Sequence, residues 1–187
     1  MRKQIKKSVT SLASAKVKAQ TVNADASVPA EGTNAISRTD LKPDPAWLLL
    51  DNQLCFSAYA LSREIISLYR PFLEPLGITY TQYITLMVLW EERKTSMKHL
   101  GERLFLDSGT LTPLLKKLAQ MGLVEKERDS EDERSVLVHL TEKGLALREQ
   151  ALGIPVEILC GTGLDVETAV QLREVMKKMA VDIRQRA

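Results

Sequence analysis

The strongest constraint on the fold lies between Thr95 and Leu140, where two short helical segments precede two β-prone runs. Thr95-Ser96 provides an N-cap for a helix that ends near Leu104, and a leucine-rich helix follows after a short break. The β-prone runs, 123–128 and 135–140, are joined by the charged segment 129–134. We therefore expect a helix-turn-helix followed by a two-stranded ribbon with a polar tip.

This order of elements is typical of the winged helix-turn-helix, which reads DNA with its second helix. The alternative is a small α domain with a chance helix-turn-helix and an ordinary hairpin. The composition of the second helix favours DNA, since short hydroxyls and lysines suit base edges and phosphates. The candidate DNA-binding residues on this helix are Ser108, Thr110, Thr112, Lys116 and Lys117.

Two details of this region stay open in the sequence. Pro113 opposes a helix interior, so the second helix begins either near Thr110 or at Asp107 with one lost hydrogen bond. In the ribbon, Arg128 and Arg134 flank the tip and are further DNA-binding candidates, although the tip's acidic residues repel phosphate. Asp132 is close enough in sequence to pair with Arg134 and to orient it for a minor groove.

The residues on both sides of this module show the apolar periodicity of helices. Apolar residues recur from Trp47 to a proline- and glycine-punctuated stretch at 71–77, which predicts one long helix, and a second helix is expected over 82–92. Two more helices are expected at about 141–160 and 165–185, and Pro155 breaks or kinks the first of them. The last helix carries a continuous apolar stripe that so small a monomer cannot cover. The stripe consists of Val166, Ala169, Val170, Leu172, Val175, Met176, Met179 and Ile183.

Composition and charge narrow the class of protein. No apolar run approaches the roughly 20 residues of a membrane helix, so we expect a soluble protein with no membrane partner. Residues 1–45 hold 8 Lys/Arg against 4 Asp/Glu without the apolar core of a secretory signal. We interpret them as a disordered basic extension, either a solvated arm or an arm that adds affinity for phosphates. Two cysteines among 187 residues favour a reducing cytoplasm, and the two histidines lack zinc-ligand spacing, so no metal or cofactor is expected.

Several of these segments carry a family resemblance over about residues 48–150. The stretch 107–118, then Gly122-Leu123-Val124, 129–135 (DSEDERS) and 140–144 (LTEKG), resembles the MarR family of bacterial repressors. The stretches 54–59 (LCFSAY) and 78–83 (ITYTQY) are similar to the organic hydroperoxide resistance regulators within that family. The resemblance implies a mainly α-helical fold of the α+β class, with long N- and C-terminal dimerisation helices around the winged module.

This resemblance also implies the organisation and the partners. Residues 46–187 then form the winged helix domain, with dimerisation helices at 46–75 and 141–187 and the DNA-binding winged helix at 79–140. A homodimer would bind a pseudo-palindromic operator in double-stranded DNA. Organic hydroperoxides would act as inducers, and the protein would be a repressor rather than an enzyme.

The same resemblance assigns roles to two thiols and two phenols. Cys55 matches the peroxide-sensing thiol, held as thiolate by the hydroxyls of Tyr69 and Tyr80, the latter from the partner subunit. Hydrogen bonds to the anion lower a thiol pKa and favour attack on peroxide. Cys160 lies where two-cysteine members carry a resolving thiol that closes an intersubunit disulfide. A buried, unreactive role for Cys160 remains the alternative.

Two other functions compete with this hypothesis. A MarR-type repressor released by a reversible phenolic ligand would not need Cys55 beside tyrosines. A thiol peroxidase would need an arginine close to its thiol, and the nearest in sequence, Arg63, lies eight residues further on.

Overall fold

The computed structural model describes residues 42–129 and 135–186, and Pro45–Ala187 forms one compact unit. Almost all of the basic extension lies outside the described residues, and so do Asp132 and Arg134, which the sequence predicts for the ribbon tip. None of the helices in these two ranges is long and apolar enough to cross a membrane.

The first helix, α1, spans Leu54–Leu73 and begins later than the periodicity predicts. Two 3-10 turns, Pro45–Leu48 and Leu50–Asn52, occupy the expected start. The reason is local competition for hydrogen bonds: the side-chain amide of Asn52 donates to the carbonyl of Ala46, and that of Gln53 to the carbonyl of Trp47. At the other end α1 passes through Pro71 and stops two residues later.

Helix α2 spans Tyr80–Glu92 and starts with a capping box between Thr79 and Gln82. It is followed by a strand that the periodicity did not predict, β1 (Lys94–Ser96). Three residues are too few to show an alternating pattern. Arg93, at a φ of 64°, turns the chain into this strand.

The helix-turn-helix consists of α3 (Met97–Leu104) and α4 (Ser108–Gln120). Ser96 caps α3, as predicted, and Asp107 caps α4 with its carboxylate on the backbone N–H of Thr110. Helix α4 therefore begins at the earlier of its two possible starts and contains Pro113. Its lost hydrogen bond is tolerated because the rest of the helix buries four leucines.

The ribbon strands are β2 (Val124–Arg128) and β3 (Val136–Leu140), which pair antiparallel. The strand β1 adds to the other edge of β3, so the sheet order is β1-β3-β2. The ribbon is thus anchored to the start of α3 as well as to the end of α4.

Three helices complete the chain: α5 (Glu142–Ala151), α6 (Ile154–Thr162) and α7 (Val166–Arg186). The single helix expected over 141–160 is interrupted because Pro155 has no N–H to donate to the carbonyl of Ala151. Helix α6 ends at Gly163, whose φ of 70° gives a left-handed cap.

Leucines of α2, α3 and α4 form the centre of the core, together with Val124 and Val138 of the ribbon. Helix α7 contributes no buried residue, and its apolar stripe is largely exposed, as are Leu48 and Leu54 near the start of α1. The core therefore belongs to the winged module and its immediate neighbours.

Gly144 in α5 is a position where a side chain cannot fit. A Cβ there would lie 2.2 Å from the carbonyl oxygen of Leu123, whereas a Cβ at Gly153 would meet nothing within 4 Å. We predict that Gly144→Ala lowers the free energy of unfolding by about 1–3 kcal/mol through overpacking. Gly153→Ala, the matched control, should change it by less than about 1 kcal/mol. Equal stabilities of the two variants in chemical denaturation would contradict this packing.

Candidate DNA-reading surface and thiol site

Helix α4 presents one face to solvent. At about 100° per residue, the centre of that face consists of Gly109, Pro113, Lys116 and Gln120, opposite the buried leucines. All five candidates from the sequence are exposed, and Thr112 and Lys117 flank this centre. The composition of the helix did not indicate Gln120. Its spacing of four residues from Lys116 does predict that the two side chains share a face.

The threonine hydroxyls of α4 are already engaged as donors. The hydroxyl of Thr110 donates to the Asp107 carboxylate over 3.0 Å, and that of Thr112 to the carbonyl of Ser108 over 2.7 Å. Each keeps acceptor lone pairs and a methyl group. These side chains therefore present acceptors and methyls, which suit exocyclic amines and the thymine methyl.

The ribbon supplies a second basic element. Arg128 is exposed at the end of β2, where it pairs with Val136 of β3. The pairing expected between Asp132 and Arg134 lies outside the described residues and stays a prediction.

The two thiols are both free and exposed. Cys55 occupies the first turn of α1, and Cys160 lies in α6. Between them in sequence lies a cluster of phenols: the ring centroids of Tyr69 and Tyr80 are 4.8 Å apart, and those of Tyr69 and Tyr83 are 5.7 Å apart.

Cys55 and these phenols lie at opposite ends of α1. Fourteen residues separate Cys55 from Tyr69, which is about 21 Å along a helix and beyond hydrogen-bond reach. Tyr69 and Tyr80 instead contact each other across α1 and α2. Within one protomer, the hydroxyls of Tyr69 and Tyr80 are therefore too far from Cys55 to donate hydrogen bonds to its thiolate.

Cys160 lies at the phenol end of α1. A Cβ added to its neighbour Gly161 would be 3.4 Å from the Leu68 side chain, and α6 packs against α1. Leu68 is thirteen residues beyond Cys55, about 20 Å along the axis. Since a disulfide needs Cα atoms within about 7 Å, the two cysteines of one protomer are too far apart to join without a large rearrangement.

An open cavity of ≈ 850 Å³ lies between the second half of α1 and the start of α2. Both phenols line it, together with apolar Ile66 and the cationic Arg63 and Arg70. Among the described residues, His, Cys, Asp and Glu form no group of three or more that could hold a metal ion.

The electrostatics of the phenol cluster favour the protonated form. Burial, reinforced by Tyr80 and Tyr83, raises the pKa of Tyr69 to about 12. Burial likewise raises the pKa of Tyr80. Both hydroxyls therefore keep their protons at neutral pH and can donate to an anion placed in the cavity.

Comparisons with known proteins agree with this geometry. Residues 67–150 match the family described as transcriptional regulator SarA/Rot. The organic hydroperoxide resistance transcriptional regulator of Bacillus subtilis is 50% identical over 126 residues, covering 67% of this chain and 84% of the relative. The chain belongs to the organic hydroperoxide resistance regulators of the MarR type. This regulator therefore has the winged helix fold that its sequence predicted.

Solved structures of AbfR from Staphylococcus epidermidis resemble this regulator over most of their length. Reduced AbfR bound to DNA is 36% identical, with a TM-score of 0.60 over 72% of this chain and 94% of that one. A disulfide-formed AbfR is 37% identical, with a TM-score of 0.50 over 70% of this chain and 92% of that one. A protein solved in a reduced, DNA-bound form and in a disulfide form thus shares its fold.

If the outward face of α4 meets phosphate, removing the charge of Lys116 should weaken DNA binding. We predict that Lys116→Gln lowers operator affinity and reduces the salt slope of log K by about 1, the release of one counterion. Lys178→Gln, on the polar face of α7 opposite its apolar stripe, is the matched control and should leave the slope unchanged. Titration at several salt concentrations measures both, and equal slopes would remove Lys116 from the interface.

Proposed function

We propose that this regulator is a homodimeric repressor that releases its operator when an organic hydroperoxide oxidises Cys55. Each winged module binds one half-site of a pseudo-palindromic DNA sequence through α4, with Arg128 and Arg134 at the ribbon. The relatives' roles as transcriptional regulators support action on DNA in the cytoplasm.

The observation that carries the proposal is the separation of thiol and phenols along α1. One protomer has a thiol at one end of the helix and two protonated phenols lining a cavity at the other. A two-fold axis would bring the thiol of each protomer into the cavity of its partner. In this arrangement both Tyr69 and Tyr80 come from the partner and donate hydrogen bonds that stabilise the thiolate.

The exposed apolar surface supports the same dimer. Apolar side chains near the start of α1 and along α7 would leave a large patch in contact with water, which monomers rarely tolerate. A second copy of the chain would cover these surfaces in an isologous interface.

The proposed chemistry is stoichiometric rather than catalytic. The Cys55 thiolate attacks a peroxide oxygen, the O–O bond breaks, and the products are a sulfenic acid and an alcohol. The Cys160 thiol of the partner then attacks the sulfenic sulfur, which forms a disulfide and releases water. Cys160 suits this role because it lies at the phenol end of α1, where the partner's Cys55 would enter.

Cys55→Ser should bind the operator like wild type but stay bound after hydroperoxide treatment, since a hydroxyl cannot become a sulfenic acid. A gel shift on the promoter region of its own gene, with and without an organic hydroperoxide, measures this. Wild-type protein under the same treatment is the control. A variant that still leaves the DNA would place the sensor elsewhere, and release by a phenolic ligand alone would favour a ligand-controlled repressor.

Cys160→Ser tests the resolving thiol. After one equivalent of hydroperoxide, wild-type protein should run as a covalent dimer on a non-reducing gel, and reductant should reverse it. Cys160→Ser should run as a monomer and leave Cys55 open to over-oxidation, detected by mass spectrometry. If wild-type protein forms no covalent dimer and Cys55 is joined only to small thiols, Cys160 has no resolving role.

A further inference from the structure

Four aromatic side chains form a continuous row through the protein. It starts at Tyr80 and Tyr69, 4.8 Å apart, continues to Tyr83 at 5.7 Å from Tyr69, and ends at Trp90, whose ring centroid is 6.0 Å from that of Tyr83. Tyr83 is 2% exposed, so the middle of the row is enclosed by the core. One end is thus the phenol pair of the proposed thiol site, and the other end is an indole in the last turn of α2.

The Trp90 indole forms a hydrogen bond to a segment that is distant in sequence. Its Nε1–H donates to the carbonyl oxygen of Gly144 over 2.9 Å, across 54 residues of sequence. Gly144 lies in the first turn of α5, directly after the ribbon strand β3.

This first turn of α5 is itself hydrogen-bonded to the end of α4. The hydroxyl of Thr141 donates to the carbonyl of Gly122 over 2.8 Å, and the ammonium of Lys143 to the carbonyl of Met121 over 2.7 Å. Met121 and Gly122 connect α4 to β2. The Trp90 hydrogen bond therefore reaches the junction where α4, the ribbon and α5 meet.

The junction is tightly packed where α5 meets the start of the ribbon. Gly144 lies so close to Leu123 that a Cβ would be 2.2 Å from the Leu123 carbonyl oxygen. Close-packed groups transmit a shift to their neighbours instead of compressing. A movement of Trp90 would consequently move the junction as a body, and α4 and the ribbon with it.

We propose that Trp90 is a positioning residue that couples the Tyr69–Tyr80 phenol pair to the DNA-reading module through its hydrogen bond to the Gly144 carbonyl. This inference rests on the proposed function. Oxidation removes the anionic acceptor at Cys55, the phenols reorient, and the aromatic row passes that change to Trp90. The junction then shifts and turns α4 away from its half-site.

Trp90→Phe tests the coupling, because it keeps a ring in the row and removes only the N–H donor and part of the indole. The quantity to measure is the ratio of operator Kd values for oxidised and reduced protein. This ratio should fall about tenfold in Trp90→Phe, the effect of one hydrogen bond, while hydroperoxide oxidises Cys55 at the wild-type rate. Trp47→Phe makes the same change at a tryptophan outside the row, and the fall in Trp90→Phe should exceed any change that Trp47→Phe causes.

A second measurement does not depend on the folding of Trp90→Phe. In the Trp47→Phe background, Trp90 is the sole tryptophan of the chain, so its fluorescence emission should change when Cys55 is oxidised. The change should be absent from the Trp47→Phe/Cys55→Ser protein.

Two outcomes overturn the coupling: a wild-type Kd ratio in folded Trp90→Phe, or unchanged Trp90 emission in oxidised protein that has left the DNA. Neither of these outcomes contradicts the proposed function. By contrast, wild-type protein that remains on its operator after Cys55 is oxidised would refute the proposed function itself.

Discussion

The length of α1 is the constraint on which the rest of this regulator depends. A straight helix of 20 residues keeps Cys55 about 21 Å from Tyr69. The parts of a peroxide-sensing site are therefore present in each chain but not assembled within it. A second copy is what would complete the site, and the uncovered apolar faces of the terminal helices are available for that contact.

A different kind of contact organises the DNA-reading module. The first turn of α5 receives the Trp90 hydrogen bond, lies against Leu123 and is linked to the end of α4. Helix α4, the ribbon and α5 thus meet at one small junction that is tightly packed at Gly144. A rigid junction suits a switch, because a local chemical event can turn the module as a unit only if the module does not deform.

Local signals predicted most of the winged module. The Ser96 cap, the two ribbon strands and the spacing of leucines in α4 each depend on neighbouring residues and were correct. Wrong expectations arose where distant or competing groups decide: β1 exists because β3 pairs with it, and the Asn52 and Gln53 amides delay the start of α1. Composition also could not show that local acceptors already use the hydroxyl protons of Thr110 and Thr112.

By itself, the sequence determined which chemical groups this protein has and how they are spaced along its helices, because helical periodicity and capping are short-range effects. It thereby specified the reactive thiol candidate, the phenols and the face of α4. Only the tertiary structure decided which of these groups meet. Burial next to α2 raises the pKa of the Tyr69 phenol, and α6 brings Cys160 to the phenol end of α1, since both depend on packing between segments far apart in the chain.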